Sequence, residues 1–268
     1  MEYNLHSDDV PDHHRFPYIR SGYRLHGSYT DAFFSLFKIH NELFNAWSMI
    51  FGNLISLYLF APFTTSASAP LTCVYLSSLV HLPFSVGYHL FMPMSVEISN
   101  KWRNLDITFI YVASIFLTYG LSYYVFPMYV TLFLTMVSAV FCTRQKHKLY
   151  NRKHHVLYLA LTISIYLFPM IYNLLTDNNK YNIFCTLITI LSLFIGGLVY
   201  VYTFPECYIQ NNTIDIIGNS HNIMHVCIVI AHLAEMAFVL QLQLQKTHLH
   251  NLSIFDKPLF IIIKNIIQ

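Results

Sequence analysis

Charged side chains are scarce in this sequence. Only 10% of its 268 residues are Asp, Glu, Lys or Arg, whereas a soluble globular domain carries about 25%. Glycine and proline are also sparse, with 8 and 10 copies, while apolar residues make up 55% of the chain. A water-exposed surface built from this composition would contain large apolar patches. The composition therefore excludes an ordinary soluble domain and indicates a protein whose solvent is lipid.

Further classes are excluded by patterns that the sequence does not contain. The five cysteines are scattered without a CxxC pair, so we expect no disulfide scaffold. The net charge is +2 and no basic stripe with interleaved aromatics occurs, so we expect no nucleic-acid partner. The opening residues MEYNLHSDDV are polar and acidic, unlike the basic and then apolar pattern of a cleaved signal peptide. We therefore expect an internal span to direct membrane insertion.

Long apolar stretches indicate seven membrane-spanning helices. A helix needs about 20 mainly apolar residues to cross the roughly 30 Å hydrocarbon core of a bilayer. The candidate stretches are residues 42–62, 70–92, 104–121, 124–143, 156–175, 182–203 and 219–242. A further apolar stretch, Leu252–Ile267, is interrupted by charged residues and proline, which favours an interfacial tail over an eighth span. The sequence thus predicts an all-α, polytopic, seven-transmembrane helix bundle.

The distribution of Lys and Arg predicts a cytosolic N-terminus, because cytosolic loops carry an excess of these residues. With the N-terminus inside, eleven of the fifteen basic residues fall in cytosolic segments, namely Arg15, Arg20, Arg24, Lys38, Lys101, Arg103, Arg144, Lys146, Lys148, Arg152 and Lys153. We expect a cytosolic N-terminal tail with a juxtamembrane amphipathic segment over residues 1–41. The seven-helix domain would then cover 42–242 and a C-terminal tail 243–268.

Three segments that are far apart in the sequence are predicted to bring four ionisable residues to one depth near the cytosolic face. The second span ends at His89, the third begins with Asp106 in its first turn, and the seventh begins with His221 and His225. The last two are four residues apart and therefore share one face of a helix. Ionisable side chains inside a membrane are costly and usually mark a functional site.

Three histidines brought together in this way suit a zinc ion. Three imidazole ligands and an open fourth position are typical of catalytic zinc, which makes a bound water acidic near neutral pH. We therefore predict His89, His221 and His225 as zinc ligands. Asp106 would accept or orient a proton, and Ser85, one turn before His89, would hydrogen-bond close to the ligands. The alternative is that these histidines are ordinary contacts between helices.

Other polar residues receive structural interpretations. His81 and His232 lie two turns away from the nearest predicted ligands along their helices, too far to share the metal. Glu42 and Asn45 are one turn apart at the edge of the first span, where we expect them to cap the helix or to tie the bundle together. Alternating apolar and basic residues before Glu42 predict the juxtamembrane amphipathic helix.

The order of short motifs along the chain resembles that of the progestin and adipoQ receptor (PAQR) family, which includes the haemolysin III-like proteins. The matching pieces, in family order, are SGYR at 21–24, SLF at 35–37, HNELFN at 40–45, SxxxH at 85–89, LD at 105–106, PE at 205–206 and DxxGxSHxxxH at 215–225. SGYR and the HVC…H..E run at 225–235 look more similar to the membrane progestin receptor branch than to the adiponectin receptor branch.

This resemblance implies a seven-helix bundle with a cytosolic N-terminus. It also implies a zinc ion held by His89, His221 and His225, with Asp106 and Ser85 close to it. Members of the family are described as receptors for steroids or for adiponectin, and some show ceramidase-like hydrolysis of a lipid amide.

The sequence departs from the family pattern in three places. After Asn45 the family usually continues with an aromatic residue and Thr-His, whereas residues 46–49 read AWSM. The family's LDY and a following Gly become LDITF at 105–109, and its SHQ becomes SHN at 220–222. The predicted ligands are intact, but we expect the packing around the first and third spans, and therefore the ligand, to differ.

Two functions compete on this interpretation. A receptor would bind a steroid or another lipid-like ligand in the bundle and signal to a cytosolic protein, with a structural zinc. A zinc-dependent lipid-amide hydrolase, ceramidase-like, would use Asp106 in proton transfer. Transport is less favoured, because no charged pair lies in mid-span and no pair of broken helices marks a path. We rank the receptor first by analogy with the family and place it in the plasma membrane, with internal membranes as the alternative.

Overall fold

The computed structural model describes residues 1–64, 69–144, 152–209 and 211–247, most of which are helical. The helices are α1 (Tyr29–Phe34), α2 (Leu43–Thr64), α3 (Ala69–Phe91), α4 (Val96–Ser122), α5 (Met128–Arg144), α6 (Arg152–Thr176), α7 (Lys180–Tyr202), α8 (Asn212–Ile216) and α9 (Ser220–Thr247). Two short strands, β1 (Glu2–Leu5) and β2 (Tyr23–Leu25), pair antiparallel ahead of the first helix.

The seven predicted spans correspond to seven helices. Within the described residues, six helices are long and apolar enough to cross a membrane, namely α2, α3, α4, α6, α7 and α9. The remaining one, α5, is a shorter apolar helix over Met128–Thr143. The prediction of an all-α polytopic membrane protein is therefore confirmed, while the cytosolic orientation of the N-terminus stays a prediction. The eighth-span candidate, Leu252–Ile267, lies outside the described residues.

The third span begins earlier than its apolar pattern indicated. We expected it from about residue 104, but α4 begins at Val96, where the hydroxyl of Ser95 accepts a hydrogen bond from the backbone N–H of Ile98. Residues 96–104 include two basic side chains and an acidic one, so apolarity alone misses this part of the helix. Asp106 consequently lies in the third turn of α4 rather than in its first.

The segment ahead of α2 is folded around a small core of its own. Val10, Ile19, Tyr23 and Leu25 are buried together, and the strand pair β1–β2 holds the two ends of this segment side by side. A composition argument for spans could not predict this hairpin, because its strands are only four and three residues long.

The predicted juxtamembrane amphipathic segment contains the short helix α1. Ser28 and Asp31 form a capping box at its start. Three aromatic side chains in and after it, Phe33, Phe34 and Phe37, are exposed to between 52% and 68%. Exposed aromatic rings immediately before a span are typical of the membrane–water interface.

The chain divides into two compact units, each made of parts of several helices. Among the described residues, the first contains those within 1–54, 79–110 and 191–231, and the second contains those within 55–78, 111–190 and 232–247. All three predicted metal ligands belong to the first unit. In the second unit, α3 and α4 approach closely at Gly120, where a Cβ atom would lie 2.7 Å from the backbone oxygen of Pro70.

The charge distribution generates a prediction about orientation. In a background without the five native cysteines, we expect Asn178→Cys to react with a membrane-impermeant maleimide on intact cells. Asp12→Cys should react only after permeabilisation, because its segment is predicted to be cytosolic. Both positions are exposed on the protein, so accessibility to the reagent depends on the side of the membrane. The reverse labelling pattern, or a glycan on the Asn211-Asn212-Thr213 sequon, would contradict the orientation.

The close approach at Gly120 generates a prediction about stability. Gly120→Ala should lower the free energy of unfolding of the detergent-purified protein by about 1–3 kcal/mol, and with it the melting temperature. The reason is that the new methyl group overlaps backbone atoms that cannot rotate away. Gly197→Ala is the matched control, since a Cβ there meets no atom within 4 Å. Equal melting temperatures for the two variants would show that the helices are not in contact at this point.

Candidate metal centre

Three histidine side chains meet in the first unit. His89 comes from the last turn of α3, and His221 and His225 come from the first two turns of α9. Their ring centroids are 5.0–5.1 Å apart in all three pairs, and one ligand nitrogen from each lies within 4.8 Å of the others. His89 and His225 are buried, with 1% and 4% of their surface exposed. The structure thus brings together the three residues that the sequence singled out.

The residue just before α2 supplies a carboxylate to this cluster. Glu42, which directly precedes α2, lies with its Oε2 atom 2.5 Å from Nδ1 of His89. The same oxygen accepts a hydrogen bond of 3.1 Å from the side-chain amide of Asn45. Both residues are buried. Sequence reasoning gave this pair a tying role but did not identify His89 as the residue that it contacts.

Asn222 connects the first turn of α9 to α2. Its side-chain nitrogen donates to Oδ1 of Asn45 over 2.8 Å, and its side-chain oxygen accepts from the backbone N–H of Gly218 over 2.9 Å. This is the position at which the chain has Asn in place of the Gln of the resembled family. The shorter side chain therefore forms contacts with both α2 and the turn before α9.

Two buried acids organise the approach to α9. Glu206 accepts hydrogen bonds from the backbone N–H of Ser220, over 2.7 Å, and from its hydroxyl. A carboxylate at a helix N-terminus accepts hydrogen bonds from otherwise unpaired backbone N–H groups, and its negative charge interacts favourably with the positive end of the helix dipole. Asp215 accepts from the backbone N–H of Ser21 over 2.8 Å and from its hydroxyl over 2.7 Å. The PE and DxxGxSHxxxH motifs therefore fix the helix that carries His221 and His225.

Arg24, the last residue of the SGYR motif, is buried beside His89. One guanidinium nitrogen, Nη2, donates to the backbone oxygen of His89 over 2.8 Å, and Nη1 donates to the hydroxyl of Ser35. Burial lowers the pKa of Arg24 to about 10, a shift that the nearby Glu42 carboxylate opposes. The guanidinium therefore remains protonated at neutral pH.

His40 is a further buried imidazole near this cluster. Burial, followed by the charge of Arg24, lowers its pKa to about 3. The ring is therefore neutral near neutral pH, which allows Nδ1 to accept a hydrogen bond from the backbone N–H of Glu42 over 3.1 Å. We had not assigned His40 a role from the sequence.

Asp106 pairs with a histidine that sequence reasoning left without a role. Its Oδ1 atom lies 2.8 Å from Nε2 of His81, and both side chains are largely buried. We expected Asp106 at the level of His89, in the first turn of its helix, but the longer α4 places it beside His81. His89 and His221 are still near enough to act electrostatically on its carboxylate. The predicted role of Asp106 in proton transfer stays a prediction.

Ser85 lies one turn before His89 on α3 and is buried. His81, Ser85 and His89 are spaced by four residues, so they share one face of α3. This spacing was visible in the sequence and could have linked His81 to the site. The role of Ser85 close to the predicted metal ligands stays a prediction.

The donor set fits a zinc ion. Zinc binds neutral imidazole nitrogen and commonly takes three protein ligands, and the three rings here converge from two helices. Nδ1 of His225 is buried without a hydrogen-bond partner among the described residues, a costly state that a ligand would relieve. The carboxylate beside His89 matches the usual surroundings of a metal-binding histidine.

Comparison with known proteins agrees with the family resemblance. The family described as "Haemolysin-III related" matches residues 37–236. The chain is similar to membrane progestin receptor beta from Sus scrofa, with 40% identity, and to its Homo sapiens counterpart, with 38%. Each alignment is 96 residues long and covers 32% of this chain and 27% of the relative. The chain thus spans about a quarter of the length of the curated relatives it matches.

The family match covers most of the chain and includes all three histidines and Asp106. This polytopic helical membrane protein therefore belongs to the haemolysin-III related, or PAQR, family.

Proposed function

We propose that this protein is a PAQR-type signalling receptor for a steroid or another lipid-like ligand, with a zinc site near the cytosolic face. The observation that carries the proposal is the cluster of three largely buried histidines, in a chain that shares 40% identity over 96 residues with a membrane progestin receptor. We further propose that the protein lies in the plasma membrane, surrounded by membrane lipids, and that its partner is a cytosolic signalling protein.

His89, His221 and His225 would hold the metal ion. When bound, zinc would cross-link the histidines and polarise a water or a carbonyl oxygen at an open position. The residues of the chain orient this site: Glu42 accepts a hydrogen bond from the ring of His89, and Asn222 connects α9 to α2.

These contacts support a receptor because they connect the ends of three helices. The histidines join α3 to α9, and the Asn45–Asn222 hydrogen bond joins α2 to α9. A ligand that binds one arrangement of these helices more tightly than another shifts the population towards it. The helix ends in the first unit would then change position together, and a cytosolic partner would recognise the changed surface.

The alternative is a zinc-dependent lipid-amide hydrolase, and a specific observation favours it. Asp106 is hydrogen-bonded to His81 and lies within electrostatic reach of His89 and His221. A carboxylate with a histidine partner, within electrostatic reach of a metal-binding cluster, can accept a proton and pass it on. In this function Asp106 would be a catalytic residue rather than a structural one.

The zinc site is tested by metal analysis. Detergent-purified wild-type protein should contain about one zinc ion per chain, as expected for one three-histidine site. His225→Ala should lose it, because the remaining pair of histidines binds far more weakly. His13→Ala, at an exposed position, is the matched control and should retain the metal. Zinc-free, folded wild-type protein would remove both the zinc site and the hydrolase.

Asp106→Asn separates the two functions. In a receptor, the variant should bind radiolabelled progesterone in nanodiscs as the wild type does, because the Asn side chain can still hydrogen-bond to His81. In a hydrolase, turnover of a fluorescent short-chain ceramide should fall by about 10²–10⁴-fold while zinc is retained. Asp12→Asn, at an exposed position, controls for loss of charge. If the wild type hydrolyses the ceramide and the variant does not, the protein is an enzyme and the receptor proposal is wrong. If the wild type shows no saturable steroid binding, a progestin is not its ligand.

A further inference from the structure

We infer that Glu42 and Arg24 are positioning residues that hold His89 in its metal-binding orientation, one through the imidazole ring and the other through the backbone. The inference rests on the proposed zinc site and assigns it two supports that are not ligands. Its consequence is that the segment ahead of the first span forms part of the metal centre.

The contact between Glu42 and His89 determines which ring nitrogen is available. Oε2 of Glu42 is an acceptor only, so Nδ1 of His89, at 2.5 Å, carries the hydrogen. In a neutral imidazole the other nitrogen, Nε2, then keeps its lone pair and can bind a metal. Both side chains are almost fully buried, so water cannot replace this hydrogen bond. The carboxylate thereby fixes both the tautomer and the direction of the ring.

Glu42 is itself held in place. The side-chain amide of Asn45 donates to the same Oε2 atom, and Asn45 is in turn bonded to Asn222, next to His221. The carboxylate is therefore part of a chain of hydrogen bonds that runs from His89 to the helix carrying the other two histidines. Rotation of Glu42 away from His89 would break this chain.

Arg24 satisfies a backbone group that α3 cannot satisfy. The oxygen of residue i in a helix accepts from the N–H of residue i+4, and the residue four positions after His89 is Pro93, which has no N–H. Nη2 of Arg24 donates to this oxygen instead, over 2.8 Å. The local sequence thus creates an unpaired carbonyl at the metal ligand, and a residue 65 positions earlier supplies its donor.

The burial of Arg24 supports a positioning role rather than an ordinary surface contact. Only 4% of its surface is exposed, and no described carboxylate lies within ion-pair distance of its guanidinium. Burying a charge without an ion pair is costly, and here the charge is met by Ser35 and by the oxygen of His89. Ser35 is oriented by its own hydrogen bond, in which its hydroxyl donates to the backbone oxygen of Ala32 over 2.6 Å.

Zinc release tests the inference on the full-length purified protein. The variants are Glu42→Gln, Glu42→Ala, Arg24→Lys and Arg24→Met, with Arg15→Met as control because Arg15 is partly exposed and paired with Asp12. We expect Glu42→Ala and Arg24→Met to weaken zinc affinity by about 10–100-fold, the usual effect of removing a partner of a metal ligand. Glu42→Gln and Arg24→Lys should fall between these variants and the wild type, because Gln still accepts from Nδ1 and Lys still donates to the carbonyl.

Two further measurements distinguish positioning from general destabilisation. The visible absorption spectrum of the Co²⁺-substituted protein reports the coordination geometry and should change in the Glu42 and Arg24 variants, with partial recovery in the conservative ones. The melting temperature of the metal-free protein should vary much less than zinc affinity. Wild-type affinity and an unchanged cobalt spectrum in Glu42→Ala and Arg24→Met would overturn the inference while leaving the zinc site intact. A wild type that binds neither zinc nor cobalt would overturn both.

Discussion

The burial of His89 is the constraint on which the rest of the described site depends. A polar group removed from water must find a partner within the protein, and His89 brings two such groups into the interior, its ring N–H and its backbone oxygen. Glu42 meets the first and Arg24 the second. Motifs that look unrelated in the sequence, HNELFN and SGYR, are thus the hydrogen-bonding partners of a third motif, SxxxH.

The helices and the meeting of the three histidines were predictable from the sequence, because both follow from the positions and lengths of apolar runs. Counting spans and alternating their direction brought the ends of the second and seventh spans to one depth, and His89, His221 and His225 do meet in the structure. This argument needs only the approximate position of each helix. It tolerates errors of a few residues at the helix ends, which is why it brought three histidines from two distant segments together.

The partner of Asp106 was missed because one helix end was misplaced. Helix α3 ends at Phe91 and α4 begins at Val96, so His81 and Asp106 both lie ten residues from the turn between two antiparallel helices. At a rise of 1.5 Å per residue, each is about 15 Å from the turn and the two are level. The first turns of α4 contain charged residues, so a search for apolar runs does not include them in the helix. The contacts of Glu42 and Arg24 could not be predicted from the sequence for a different reason. Side-chain hydrogen bonds between residues far apart in the sequence leave no periodic pattern.

The hydrogen bonds between the two ends of the chain have a consequence for biosynthesis. Ser21 and Asp215 are separated by 194 positions, and Asn45 and Asn222 by 177. A ribosome finishes the N-terminal partners long before it reaches α9, so the polar atoms of Ser21 and Asn45 lack these hydrogen-bond partners until α9 has been synthesised. Assembly of the histidine cluster is therefore a late event, and a nascent chain that stalls before α9 presents unsatisfied polar groups by which a quality-control system can recognise it.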